Sequence, residues 1–224
     1  MKSYTNTIYS RKNDKLAISR RHFVAAGSFL PFAATAATGI LAPREAQAAK
    51  PQILESDHVL GFPTAPVTII EYASLTCGHC GNFHNHTFGD IKKDYIDTGK
   101  VKFVYRHFPL DRFAFIAAIL SECAGDDSKF FEMIDVLFTQ QEVWTRQEDP
   151  ALALIEIGGN NGVALEEFVN CLTNQEMVDA IASESLIGSS QFGVDSTPTL
   201  FIQGEKYEQS RSFEALDNYL KTLT

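Results

Sequence analysis

Between residues 67 and 74 the chain reads VTIIEYAS, a β-branched and aromatic run bounded by FPTAP before it and a cysteine motif after it. This predicts a buried strand. From Gly81 the apolar positions change period, with Phe83, Phe88, Ile91 and Tyr95 at helix-compatible intervals as far as Gly99. VKFVYRHF at 101–108 is a second strand, so strand, CxxC, helix and strand form the start of a parallel βαβ unit with the cysteines at the helix start. Helical spacing then fills the chain from Phe113 to Ser190, in AFIAAILSECAG, KFFEMIDVLFTQQEVW, PALALIEIGG, LEEFVNCL and EMVDAIASESLIGSSQFG. Trp144 and the aromatic residues Phe130, Phe131 and Phe138 are the expected core of this stretch. TPTLFIQG at 197–204 returns to strand, and a helix from Ser212 to Leu220 closes the chain with Ser212 as its N-cap. The order predicts an α/β fold made of residues 49–110 and 191–224, interrupted by a helical insertion at 111–190.

Residues 1–48 follow another pattern. A polar, basic start leads through Arg20-Arg21 to an uncharged small-residue run from Val24 to Ala42, and Ala46-Gln47-Ala48 supplies a small-residue cleavage site. These are the parts of an export signal cleaved after Ala48, and the run is too rich in Ala, Gly and Thr to read as a membrane span. Ser19-Arg20-Arg21-x-Phe23-Val24 resembles the twin-arginine signal, whose machinery exports folded proteins; an ordinary secretory signal leads to the same compartment, the periplasm.

Removing that segment changes the charge. The whole chain has 19 Lys and Arg against 28 Asp and Glu, and residues 49–224 keep 12 against 26. No basic patch remains to hold phosphates, which excludes nucleic acid as a partner. All four cysteines, Cys77, Cys80, Cys123 and Cys171, lie in the mature part, and an even count in an oxidising compartment predicts two disulfides. Nothing near Cys123 or Cys171 resembles an activating motif, so the pair is expected as a structural disulfide rather than two free thiols or a second redox pair.

The stretch TCGHC carries the chemistry. Unpaired N–H groups and the macrodipole at a helix N-terminus favour negative charge, so Cys77 placed there is the candidate thiolate. Cys80, one turn later, is close enough to close a disulfide and is expected to be the more buried, resolving thiol. Gly78 and His79 between them set the balance: a His79 ring that adds charge and N–H donors near the sulfur stabilises the reduced form, making the disulfide a stronger oxidant. Glu71 lies in the otherwise apolar first strand. It is either buried, where an ionised carboxylate is costly and a proton could be passed to Cys80, or at a strand end reaching water. Pro198 ahead of the last β-run marks either a simple turn or a cis-proline loop. A zinc site written on Cys77, Cys80, His84 and His86, and a copper-handling role, are the competing classes; His84 and His86 are expected as exposed helix residues. Haem attachment is excluded because Gly81, not His, follows the second cysteine.

CGHC opening a helix after a strand, Glu71 upstream, a long helical insertion and TPT leading a late strand together resemble the DsbA-like thiol:disulfide oxidoreductases of the thioredoxin superfamily, over about Val59 to Leu220. The resemblance implies a thioredoxin-like fold with an inserted helical domain, and an enzyme that introduces disulfides into exported proteins. It further implies a cis-proline at Thr197-Pro198 beside the active disulfide, with substrate pairing to the Thr197 backbone, and Glu71 as the family's buried acid. By the same resemblance the substrates are reduced exported proteins and the re-oxidant is a DsbB-like, quinone-linked membrane protein. The chain is expected to be a monomer with no cofactor and no metal. Gly78-His79 is also the pair of eukaryotic protein disulfide isomerases, so isomerase or reductase activity is the alternative.

Overall fold

The computed structural model describes residues 49–224; the expected export signal lies outside the described residues. Among the described residues five strands form one sheet: β1 (Val59–Leu60), β2 (Val67–Ala73), β3 (Val101–His107), β4 (Thr199–Ile202) and β5 (Glu205–Tyr207), in the order β1-β3-β2-β4-β5. Only β2 and β3 are parallel, Glu71 lying opposite Tyr105; β4 runs antiparallel to β2, placing Leu200 on the other side of Glu71. The strand β5 follows a reversal that the run TPTLFIQG does not announce. The chain turns there at Gln203-Gly204, both with positive φ (53° and 80°). Gln203 is held in this unusual conformation by its own side chain, which accepts from Thr68 N (3.0 Å) and donates to Pro66 O (3.1 Å).

Between β2 and β3 the chain forms α1 (Gly78–Phe83), a π-helical turn (His84–Phe88), α2 (Gly89–Ile91) and a second π-helical segment (Lys92–Ile96). The helix thus begins at Gly78, three residues earlier than the apolar spacing indicates. The wide turn accounts for the five-residue step from Phe83 to Phe88, whose ring centroids lie 6.3 Å apart. Six helices follow before β4: α3 (Arg112–Cys123), α4 (Asp127–Thr139), α5 (Gln141–Trp144), α6 (Pro150–Asn160), α7 (Leu165–Leu172) and α8 (Gln175–Phe192). Asp111, Asp126, Asp149 and Asn174 cap α3, α4, α6 and α8 by accepting from backbone N–H groups in their first turns. The last helix, α9 (Phe213–Leu220), is capped by Ser212, as its sequence predicts.

Strand alternation sorts the core. Ile69 and Ala73 of β2, Phe103 and Tyr105 of β3 and Leu200 of β4 face the larger cluster, with Cys80, Phe130, Phe138 and Trp144. Ile70, Tyr72, Val104 and Phe201 face a smaller one with Val194. Phe130 and Phe138 meet Tyr105 at ring-centroid distances of 6.1 and 6.2 Å, so these aromatics join the helices to the sheet rather than filling a core of the helices alone. Cys123 of α3 and Cys171 of α7 are bonded to each other. No helix among the described residues is long and apolar enough to cross a membrane.

Candidate active site

Cys77 is the N-cap of α1, with an extended backbone (φ −77°, ψ 118°), and its carbonyl accepts the first helical bond from Gly81 N at 3.0 Å. Both cysteines are free thiols; Cys77 is half-buried and Cys80 fully buried. Their environments drive them apart. The Cys80 thiol donating to the Cys77 sulfur, the Thr197 side chain, and the backbone N–H groups of Cys80 and His79 together outweigh desolvation and lower the Cys77 pKa to about 5. Burial, then Cys77 and the charge of Glu71, raise Cys80 far above the ordinary thiol range. At neutral pH the reduced pair therefore holds one thiolate, on Cys77, and one thiol, on Cys80.

The ring of His79 is exposed, and this residue reaches the sulfur through its backbone N–H. The stabilisation expected of the imidazole rests instead on Cys80, Thr197 and the helix N-terminus. Gly78 is exposed beside it.

Thr197-Pro198 is a cis peptide, and the Cys77 Sγ lies 3.4 Å from Thr197 O. Among the described residues the buried Thr197 hydroxyl has no partner in hydrogen-bonding geometry. Beside it a cleft of about 560 Å³ is lined by His79, Phe83, Thr87, Pro198 and Arg211. A larger groove of about 850 Å³, along Arg112, Trp144 and Leu152, includes neither cysteine.

Glu71 is fully buried, which decides between the two positions its sequence allowed. Its Oε2 meets His84 Nε2 at 2.9 Å, while among the described residues its Oε1 has no partner, nor has the hydroxyl of Tyr105 on the neighbouring strand. His84 is therefore not the exposed helix residue expected from the sequence. It is buried, stacked on Phe138 at 4.1 Å between ring centroids and packed on Phe88 at 4.7 Å. The signal was present: His84 follows Cys80 by four residues, and one helical turn beyond a buried position lies on the same face. His86 is exposed, so the four residues of the zinc reading part company, His84 turned to a carboxylate and His86 to solvent.

A CxxC motif at a helix N-terminus after the first strand of a parallel pair, facing a cis-proline loop, defines the thioredoxin class. The thioredoxin family model matches residues 54–222. A Rickettsia typhi protein named for protein-disulfide oxidoreductase activity is 32% identical over 177 residues, which cover 77% of this chain and 65% of that relative. Thus the chain spans just under two thirds of the length of that curated relative. The crystal structure of Wolbachia pipientis alpha-DsbA1 superposes with a TM-score of 0.72 at 31% identity, covering 76% of this chain and 92% of that one. BdbD from Bacillus subtilis, 23% identical, shares the fold with a TM-score of 0.69 over 78% of this chain and 96% of its own. The chain belongs to the thioredoxin family, among its DsbA-like members.

Proposed function

We propose that the protein is a periplasmic thiol:disulfide oxidoreductase that introduces disulfides into exported proteins through Cys77 and Cys80. The observation that carries this reading is the contrast between the two sulfurs, Cys77 half-buried with its pKa lowered to about 5 and Cys80 buried and driven upward. A stabilised Cys77 thiolate favours the dithiol, and a disulfide whose reduced form is favoured is a strong oxidant.

In the forward reaction a substrate thiolate attacks Cys77 in the Cys77–Cys80 disulfide. A substrate–Cys77 bond forms, the Cys77–Cys80 bond breaks, and the electron pair goes to the Cys80 sulfur. Buried as it is, Cys80 must gain a proton as it is reduced, and Glu71 with its partner His84 supplies the route. A second substrate thiolate then attacks the substrate sulfur of the mixed disulfide, closing the product's disulfide and releasing Cys77 as thiolate. Thr197 and Pro198 border the cleft beside Cys77, where the substrate backbone pairs with Thr197. Cys123–Cys171 has a structural role in the helical insertion 111–190. A DsbB-like quinone-linked membrane oxidoreductase returns the pair to the disulfide, and a cleaved twin-arginine-like signal at 1–48 delivers the protein.

Equilibration with glutathione buffers tests the direction. A potential nearer the roughly −120 mV of strong oxidants supports oxidation, and one near about −270 mV, as in thioredoxin, overturns it. Parallel refolding of a reduced and a scrambled disulfide substrate separates oxidase from isomerase; activity on the scrambled substrate alone gives the isomerase reading.

A further inference from the structure

The helices inserted between β3 and β4 send two side chains into the loop that presents Cys77. Asp111, the N-cap of α3, accepts from Thr76 Oγ1 at 2.6 Å. Gln141, the first residue of α5, is buried, and its Nε2 donates to Leu75 O at 2.8 Å and to Cys77 O at 3.0 Å. Both hydrogens of one amide are therefore spent on the active-site backbone. The Cys77 carbonyl is also the acceptor of Gly81 N, the bond that opens α1, so the reactive cysteine, the first helical turn and α5 meet at one oxygen. Gly81 lies flush against the Gln141 side chain, and a Cβ on Gly81 would overlap its Oε1. The absence of a side chain at Gly81 is what lets α5 approach this closely.

We propose that Gln141 is a positioning residue for Cys77: by fixing the carbonyls of Leu75 and Cys77 it holds the loop so that the N–H groups of His79 and Cys80 remain aimed at the sulfur. This rests on Cys77 being the reactive thiolate. The physical argument is directional, since an N–H stabilises a thiolate only while well aligned and weakens steeply as its angle opens. Without Gln141 the buried Leu75 carbonyl loses a partner, and relieving it requires the loop to move. Its place in α5 makes the inserted helices part of the redox chemistry, because displacement of α5 relative to the sheet changes the reactivity of Cys77.

The test is Gln141→Met, which keeps the volume and removes both donors, with Gly81→Ala pressing on the same contact from the opposite side. Thiolate absorbance of the reduced protein is titrated beside iodoacetamide alkylation at about pH 5 and a thermal melt. The expected result for Gln141→Met is a Cys77 curve displaced upward by about one pH unit, with roughly fivefold slower alkylation at that pH. Gly81→Ala should move the curve in the same direction and serves alone if the methionine variant does not fold. Curves coincident with wild type, with only the melting temperature lowered, would reduce Gln141 to a structural filler and overturn the proposal. A wild-type curve in the ordinary thiol range would instead overturn the reading of Cys77, and Gln141's role with it.

Discussion

Glu71 of β2 and His84, one helical turn beyond Cys80, form a buried pair in the protein core, Oε2 to Nε2 at 2.9 Å, with side-chain exposures of 0% and 4%. A carboxylate and an imidazole so deeply buried are each tolerable only in the presence of the other. Glu71→Leu and His84→Leu should each destabilise by about 3 kcal/mol, because each strands the partner, while the double variant should be less destabilised than their sum. Urea unfolding of the four proteins measures this coupling. Additive losses would show that the two side chains act independently. In single-turnover assays Glu71→Gln should slow reduction of the disulfide while leaving alkylation of reduced Cys77 near wild type.

The Thr197 hydroxyl is one of the groups that lower the Cys77 pKa, and among the described residues it has no partner in hydrogen-bonding geometry. Thr197→Val keeps the shape and removes the hydroxyl, so Cys77 should titrate above its value of about 5 and the disulfide should become less oxidising. A tenfold loss of Cys77 acidity, fully expressed in the redox equilibrium, corresponds to about 30 mV. His79→Ala should move the curve less, since His79 acts through a backbone N–H that alanine retains. A larger displacement for His79→Ala than for Thr197→Val would return the role to the imidazole.

Glu184 of α8 turns its carboxyl inward to accept from His107 N at 2.5 Å, although part of the residue remains open to solvent. Burial of that carboxyl raises its pKa from the ordinary 4.5 to about 8, against the hydrogen bond, which lowers it. The folded state therefore holds a proton that the unfolded chain releases. The contribution to stability is full below about pH 4.5, declines as pH rises, and is lost through pH 8. Thermal melts of wild type should fall between about pH 5 and pH 8 relative to Glu184→Gln, which cannot ionise. Parallel melting profiles across that range would contradict the assignment.

The Cys123–Cys171 bond spans 48 residues, for which loop entropy gives about 4 kcal/mol. Its loss in the Cys123→Ala/Cys171→Ala protein should lower the melting temperature by roughly 8 to 16 °C without abolishing the fold. A protein exported in folded form must fold in a reducing cytosol, where neither disulfide can be a precondition. A double variant without cooperative unfolding at growth temperature would count against folded export.

The sequence by itself determined much of this protein, because the governing interactions are local. Alternation and β-branching in VTIIEYAS and VKFVYRHF place β2 and β3, and the position of CGHC directly after β2 puts Cys77 at a helix N-terminus before any tertiary contact forms. Ser212 caps its helix by a hydrogen bond to a residue three positions away, and such an interaction is legible in a short window. What only the tertiary structure decided are contacts between segments far apart in the chain. Burial of His84 depends on Glu71 and on Phe138 of α4, neither of which its own helix can reveal. The tuning of Cys77 by Thr197 joins residues 120 positions apart, and the grip of Gln141 on Leu75 and Cys77 spans 66 and 64. A buried hydrogen bond between distant side chains forms only when folding closes such a loop and excludes water, and residue type and spacing do not encode which distant groups then meet.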